Sequence, residues 1–137
     1  SMRALESAII SGATHLVLCD TNGGSLPFEV QDIVGAVQRH VGNDVIIGIH
    51  CHDDTGCAVA NSLAAVHSGA RHVQGTLNGL GERTGNTNLT TVIPNLQLKL
   101  GYTCLPDGRL ERITTVSNFV AEVLNQIKNL LLCLETR

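Results

Sequence analysis

Aromatic side chains are nearly missing from this sequence: two Phe, one Tyr and no Trp among 137 residues. A groove that stacks bases needs such rings. A basic excess is lacking too, because nine Lys and Arg stand against twelve Asp and Glu, for a net charge of -3. Without a basic stripe there is little to release counterions from a phosphate backbone. Both absences argue against a nucleic-acid partner. No apolar run approaches the ~20 residues of a bilayer span, so no membrane partner is expected. The opening "SMRALESAIISGA" contains Glu6 and reads as a helix rather than a signal peptide. Five cysteines occur without a CxxC pair, which suggests free thiols in a reducing, cytoplasmic compartment.

What is present is a repeat. "AIISGATHLVLC" at 8–19 aligns with "AVHSGARHVQGT" at 65–76 through Ser-Gly-Ala-x-His. Each copy reads as a helix end, a glycine stop and a strand. Between them, Val30, Ile33, Val34, Val37 and Val41 form a helical stripe begun by Pro27. "DVIIGIH" follows as a nearly continuous apolar strand, the pattern of a parallel strand covered on both faces. The spacing predicts helices at 3–12, 26–41, 56–68 and 88–100, strands at 15–20, 45–51 and 72–78, and a further helix at 110–132. Pro94 predicts a kink or late start in the fourth helix. Alternation of this kind means parallel strands with right-handed crossovers. One helix–strand unit takes about 28 residues, near the roughly 31 of an eight-unit barrel. Three strands cannot close a barrel, so the chain is expected to be an open sheet or part of something larger.

Three polar clusters fall at predicted strand ends, where parallel α/β folds place their sites: "CDTNGG" (19–24), "HCHDD" (50–54) and "TLNGLGERTGN" (76–86). A period of two puts His50 and His52 on one face and Cys51 on the other. Imidazoles so spaced can both reach one divalent ion. Among six histidines, the spacing fits a solvated pair at a strand end as well. Opposite parity removes Cys51 from a metal centre, and Cys57 opens the next helix. In the third cluster, Gly79, Gly81 and Gly85 accompany Glu82, Arg83 and Asn86. They read either as turn glycines or as close-approach glycines letting those side chains face a ligand. Gln74, Thr76 and Asn78 are expected to share a polar strand face, and the repeat equates Thr21 with Asn78. Asp20 is a candidate to cap its own turn.

"DTNGG", "HCHDD" and "GLGERTGN", in this order, resemble the metal-dependent aldolase-like barrels. That family includes isopropylmalate, homocitrate and citramalate synthases and hydroxymethylglutaryl-CoA lyase. "GCAVANSLAAV", "IPNLQLKLGY" and "LPDGRLERIT" look most like the citramalate synthase branch. The resemblance implies an α/β chain forming about strands six to eight of a (β/α)8 TIM barrel over 1–101, then the start of a helical linker subdomain over 102–137. It implies His50, His52 and Asn86 as ligands of a divalent metal (Mn, Mg or Zn). It further implies Thr21, Asn78 and Arg83 as substrate-binding residues and Glu82 as a catalytic acid/base or orienting group. The co-substrate would be acetyl-CoA and the acceptor a 2-oxo acid, with pyruvate giving citramalate. Isopropylmalate or homocitrate synthesis, carbon–carbon lysis, and a non-catalytic self-associating fragment are the alternatives. A homodimer is expected for a full-length chain.

Two departures stand out. Asp53 occupies a place where synthases usually carry Asn and the lyase branch carries Asp. Nothing here matches the family's first-strand Asp ligand and catalytic Arg, its catalytic His, or its regulatory portion.

Overall fold

The computed structural model describes residues 2–124. Three parallel strands, β1 (His15–Asp20), β2 (Ile46–Cys51) and β3 (His72–Gln74), lie in the order β1-β2-β3. They alternate with α1 (Met2–Ile10), α2 (Pro27–Val41), α3 (Ala58–His67) and α4 (Leu89–Pro94), and α5 (Ile113–Val123) follows. The alternation read from the sequence is thus observed.

The repeat has a physical basis in two matching helix stops. Gly12 and Gly69 both take positive φ, +96° and +117°. In each copy the amide two residues into the turn reaches back five positions: Ala13 N–H donates to Ala8 O at 3.0 Å, and Ala70 N–H to Ala65 O at 2.9 Å. These are the left-handed terminations for which glycine is suited. At the other end of a helix, α2 starts at Pro27 while the Glu29 carboxylate accepts from Leu26 N–H at 2.8 Å.

The core lies on one side of the sheet. Ile47, Ile49 and Cys51 of β2 pack with Val30, Val34 and Val37 of α2 and with Ala58 and Ala65 of α3. The alternate residues face the other way. On β1 these are His15, Val17 and Cys19, on β2 Ile46, Gly48 and His50, and on β3 His72 and Gln74. Ile46, His15, Cys19 and Gln74 are exposed there. A sheet covered by helices on one face alone, with histidines on the other, matches a barrel wall with its lumen side open.

Three expectations need correction. The strand at 72–78 ends at Gln74. Beyond it Thr76 N–H donates to Thr87 O, Leu89 N–H donates to Thr76 O, and Leu77–Gly79 forms a 3-10 turn with Asn78 at φ +60°. Alternation therefore stops at Gly75, and Asn78 does not continue a polar face with Gln74. Its amide is bonded at both ends to Ser117 of α5, donating to the carbonyl at 2.8 Å and accepting from the hydroxyl. The helix expected at 88–100, with a kink or late start at Pro94, instead starts at Leu89 and changes pitch after the proline: α4 reaches Pro94 and a wider π turn covers Asn95–Lys99. Proline removes one ladder donor, so a local change of hydrogen-bond register at this point is expected. The helix read over 110–132 is a 3-10 turn at Leu110–Arg112 and then α5 to Val123. Leu124 closes α5 as its C-cap, and 125–132 lie outside the described residues.

Candidate active site and metal centre

The three strand-end clusters meet on one rim. Arg83, at φ +55°, joins them. Its Nε and Nη2 donate to the two carboxylate oxygens of Asp54 at 2.8 and 2.9 Å, Nη2 also donates to Thr21 O at 2.8 Å, and Nη1 donates to Glu82 at 3.0 Å. A planar guanidinium suits such forked contacts, which a lysine could not reproduce. The hydrogen bonds from Arg83 hold the Asp54 carboxyl below the usual carboxylate range, and Asp54 in turn raises Arg83.

Asp53 does something else. Its carboxylate accepts from Ala58 N–H at 2.8 Å, at the start of α3, where a negative group is favoured by exposed amides and the helix dipole. Asp20 likewise caps its own turn, accepting from Gly24 N–H at 3.3 Å and Ser25 N–H at 3.1 Å.

His50 and His52 point their Nε2 atoms at one another, 3.3 Å apart. His50 Nδ1 lies 3.2 Å from the amide oxygen of Gln74. His52 is buried, and its Nδ1 has no hydrogen-bond partner, with the Glu82 carboxylate 3.9 Å away. Asn86 is brought alongside by an antiparallel bridge to His52. Its Nδ2 donates to Leu80 O at 3.1 Å, which leaves Oδ1 buried without a partner. Gly85 makes the loop fold possible: it has φ +109°, and a Cβ there would stand 2.2 Å from Gly79 O.

Among the described residues no three His, Cys, Asp or Glu side chains converge on a metal-sized space. The groups that could serve a cation here are the two imidazoles and the neutral amide oxygen of Asn86. Those groups fit a divalent ion: two ring nitrogens share one gap, and a buried carbonyl oxygen is otherwise unsatisfied. Cys51 is absent from the set, as its parity requires. It is fully buried in the helix-side core, and burial, with a smaller contribution from Asp20, pushes its thiol up to about 12. Its side chain lies among Val30, Val34 and Ala58 on the face away from the histidine pair.

Of the residues singled out from sequence, His50, His52, Glu82, Arg83, Asn86 and the Thr21 backbone gather on this rim, while Asn78 is tied to α5. Two pairings were not read from the sequence, that of Arg83 with Asp54 and that of His50 with Gln74, the latter expected only as part of a polar strand face. Asp54 holds Arg83, and a two-residue period carried one step past His52 would have found it. Gln74 is the direct register partner of His50, a pairing that sequence parity alone could not supply.

The (R)-citramalate synthase of Aquifex aeolicus is 53% identical over 125 residues, 91% of this chain and 24% of that protein. The 2-isopropylmalate synthase of Escherichia coli O9:H4 is 48% identical over 99 residues, 71% of this chain and 19% of that protein. The chain thus spans about a quarter or less of the length of these curated relatives. An HMG-CoA lyase from Acinetobacter baumannii, solved in complex with coenzyme A and 3-methylmalate, has the same fold. Its TM-score is 0.82 at 23% identity, over 99% of this chain and 45% of that one. The HMGL-like family model matches residues 2–120, a run that takes in all three strand-end clusters and most of α5, and the chain belongs to that family.

Proposed function

We propose that this chain forms strands six to eight of a (β/α)8 barrel, and the start of its helical linker, in an enzyme that condenses acetyl-CoA with a 2-oxo acid. Pyruvate is the favoured acceptor and citramalate the product. The observation that carries this reading is the paired Nε2 atoms of His50 and His52, 3.3 Å apart, beside a buried and unsatisfied Asn86 Oδ1. Relatives named (R)-citramalate synthase at 46–53% identity support the choice of acceptor.

His50, His52 and Asn86 would hold a divalent ion (Mn, Mg or Zn), and such an ion when bound polarises a keto carbonyl as a Lewis acid. All three ligands are neutral, so the site keeps positive charge for an anionic 2-oxo acid. The Thr21 hydroxyl, exposed on the same rim, donates a hydrogen bond to the acid's carboxylate. Arg83 has five N–H donors; four make the contacts described, and the fifth, on Nη1, remains for substrate. Glu82 sits on the loop fixed by Arg83, and its carboxylate accepts or orients the proton exchanged at the acetyl group. Asn78 serves the site indirectly by anchoring α5 to the loop that follows β3. The active form is a cytoplasmic homodimer of a longer polypeptide.

Thiol release from acetyl-CoA with Mn²⁺ or Mg²⁺ tests the reading, with pyruvate, 2-oxoisovalerate and 2-oxoglutarate offered separately. It is run on this chain and on the longest product of its gene. Release with pyruvate, from the longer product alone, is the expected result. Release with another acid reassigns the substrate. Release from neither leaves the rim without the proposed reaction.

A further inference from the structure

The outer nitrogen of a metal-binding imidazole normally donates to an acceptor that fixes its tautomer and ring orientation. In this rim the inner nitrogens are the two Nε2 atoms, so the outer ones are Nδ1. For His50 the neighbours of Nδ1 can be enumerated from the register: Cys19 flanks it on β1 and Gln74 on β3. The Cys19 thiol is turned to Val17 O at 3.8 Å. Gln74 presents its amide oxygen at 3.2 Å. With its carbonyl oxygen turned to the ring, Gln74 accepts from a proton on His50 Nδ1, which leaves an Nε2 lone pair facing the gap.

We infer that Gln74 is the positioning residue of this pair, holding His50 in the Nδ1–H tautomer with its Nε2 ready for a cation. The assignment rests on the metal reading for its purpose but not for its geometry. It also accounts for the unpartnered atom opposite. With His50 Nε2 an acceptor, the 3.3 Å contact requires His52 Nε2 to be the donor. In the metal-free chain His52 Nδ1 then holds a lone pair that no donor faces, the Glu82 carboxylate oxygen staying at 3.9 Å, and a cation taking both Nε2 atoms would require the His52 proton to move to Nδ1, on the Glu82 side. An isolated lone pair and a carboxylate do not attract, which is why that distance is not a hydrogen bond.

The test uses the 15N-labelled, metal-free chain and long-range 15N–1H correlation of the imidazoles. Wild type is expected to show His50 protonated at Nδ1 and bare at Nε2. Gln74→Leu is expected to shift the proton to Nε2, and Gln74→Glu, which keeps an acceptor, is expected to restore Nδ1–H. Gln74 is exposed, so neither change threatens the core. Mn²⁺ binding, followed by the paramagnetic resonance of the free ion, should weaken 10–100-fold in Gln74→Leu and recover in Gln74→Glu. A wild-type His50 protonated at Nε2, or a tautomer indifferent to Gln74→Leu, overturns the assignment. If His50→Ala leaves Mn²⁺ binding unchanged, the metal reading fails by itself, and the tautomer spectra still decide the role of Gln74.

Discussion

Adjacent aspartates with different duties show what a single position contributes here. Asp54 neutralises Arg83 and ties it to the rim, whereas Asp53 feeds one oxygen to Ala58 N–H. Asn offers an equivalent oxygen, so the departure at Asp53 does not separate synthase from lyase on physical grounds. Asp53→Asn should leave the thermal midpoint of this chain within about a degree, and should keep activity of the longer enzyme within about tenfold, or 1.4 kcal/mol. Asp53→Ala removes the acceptor and should cost about 1 kcal/mol, lowering the midpoint by several degrees. Equal losses from both substitutions would mean that the negative charge, rather than the hydrogen bond, matters at α3.

At the scale of elements, much was legible because its causes are local. Glycine stops, Pro27 and the valine stripe of α2 each act within a few residues, and the helices they bound are found where the sequence places them. The error in β3 has the opposite origin. Nothing within 72–78 announces that the segment at 85–88 crosses it, with Thr87 O and the Leu89 side chain lying where a Cβ on Gly75 would go. Non-local contacts of this kind also decide Asn78, which the repeat equated with Thr21 but α5 captures. The site divides in the same manner: the histidine pair and glycine loop were visible as motifs, while the partner Gln74 depended on register and the hold of Asp54 on Arg83 is a contact between loops 29 residues apart.

Gly23 tests how tightly these elements interlock. It has φ +60°, and an added Cβ would lie 2.8 Å from Asp54 N and 2.9 Å from the carbonyl carbon of His52. Those are backbone atoms that cannot swing aside, and the Gly23 carbonyl is also held by Thr55 through its N–H and its hydroxyl. Gly23→Ala should therefore destabilise the chain by about 2–4 kcal/mol, adding left-handed strain to overpacking. Gly24→Ala, with open space around its Cβ position, should change denaturant midpoints little. Similar losses at both glycines would refute the close approach of the first and second clusters.

On the scale of the whole molecule, the sheet is unfinished. β1 and β3 each have a neighbour on one side among the described residues, and the face bearing His15, Ile46 and Gln74 is uncovered. Large apolar side chains are exposed elsewhere as well, among them Ile10 at 87%, Leu98 at 68%, Val123 at 66% and Phe119 at 64%. Free parallel edges invite further strands, and so much exposed apolar surface favours association. In a closed barrel the edges would be consumed by neighbouring strands and the open face by the lumen. Alone, the 14.5 kDa chain should form concentration-dependent oligomers, seen by light scattering coupled to size exclusion at tens of micromolar. Ile46→Lys and Val17→Lys, placing charges on the uncovered face, should shift that equilibrium toward monomer, because burying an unpaired charge in an interface is costly. If the lysine variants associate as strongly as wild type, the sticky surface is the helical side, with Phe119 and Val123 the next positions to change. A monomer at all concentrations would mean that three strands and their helices satisfy themselves, and that the open lumen face is an ordinary solvated surface.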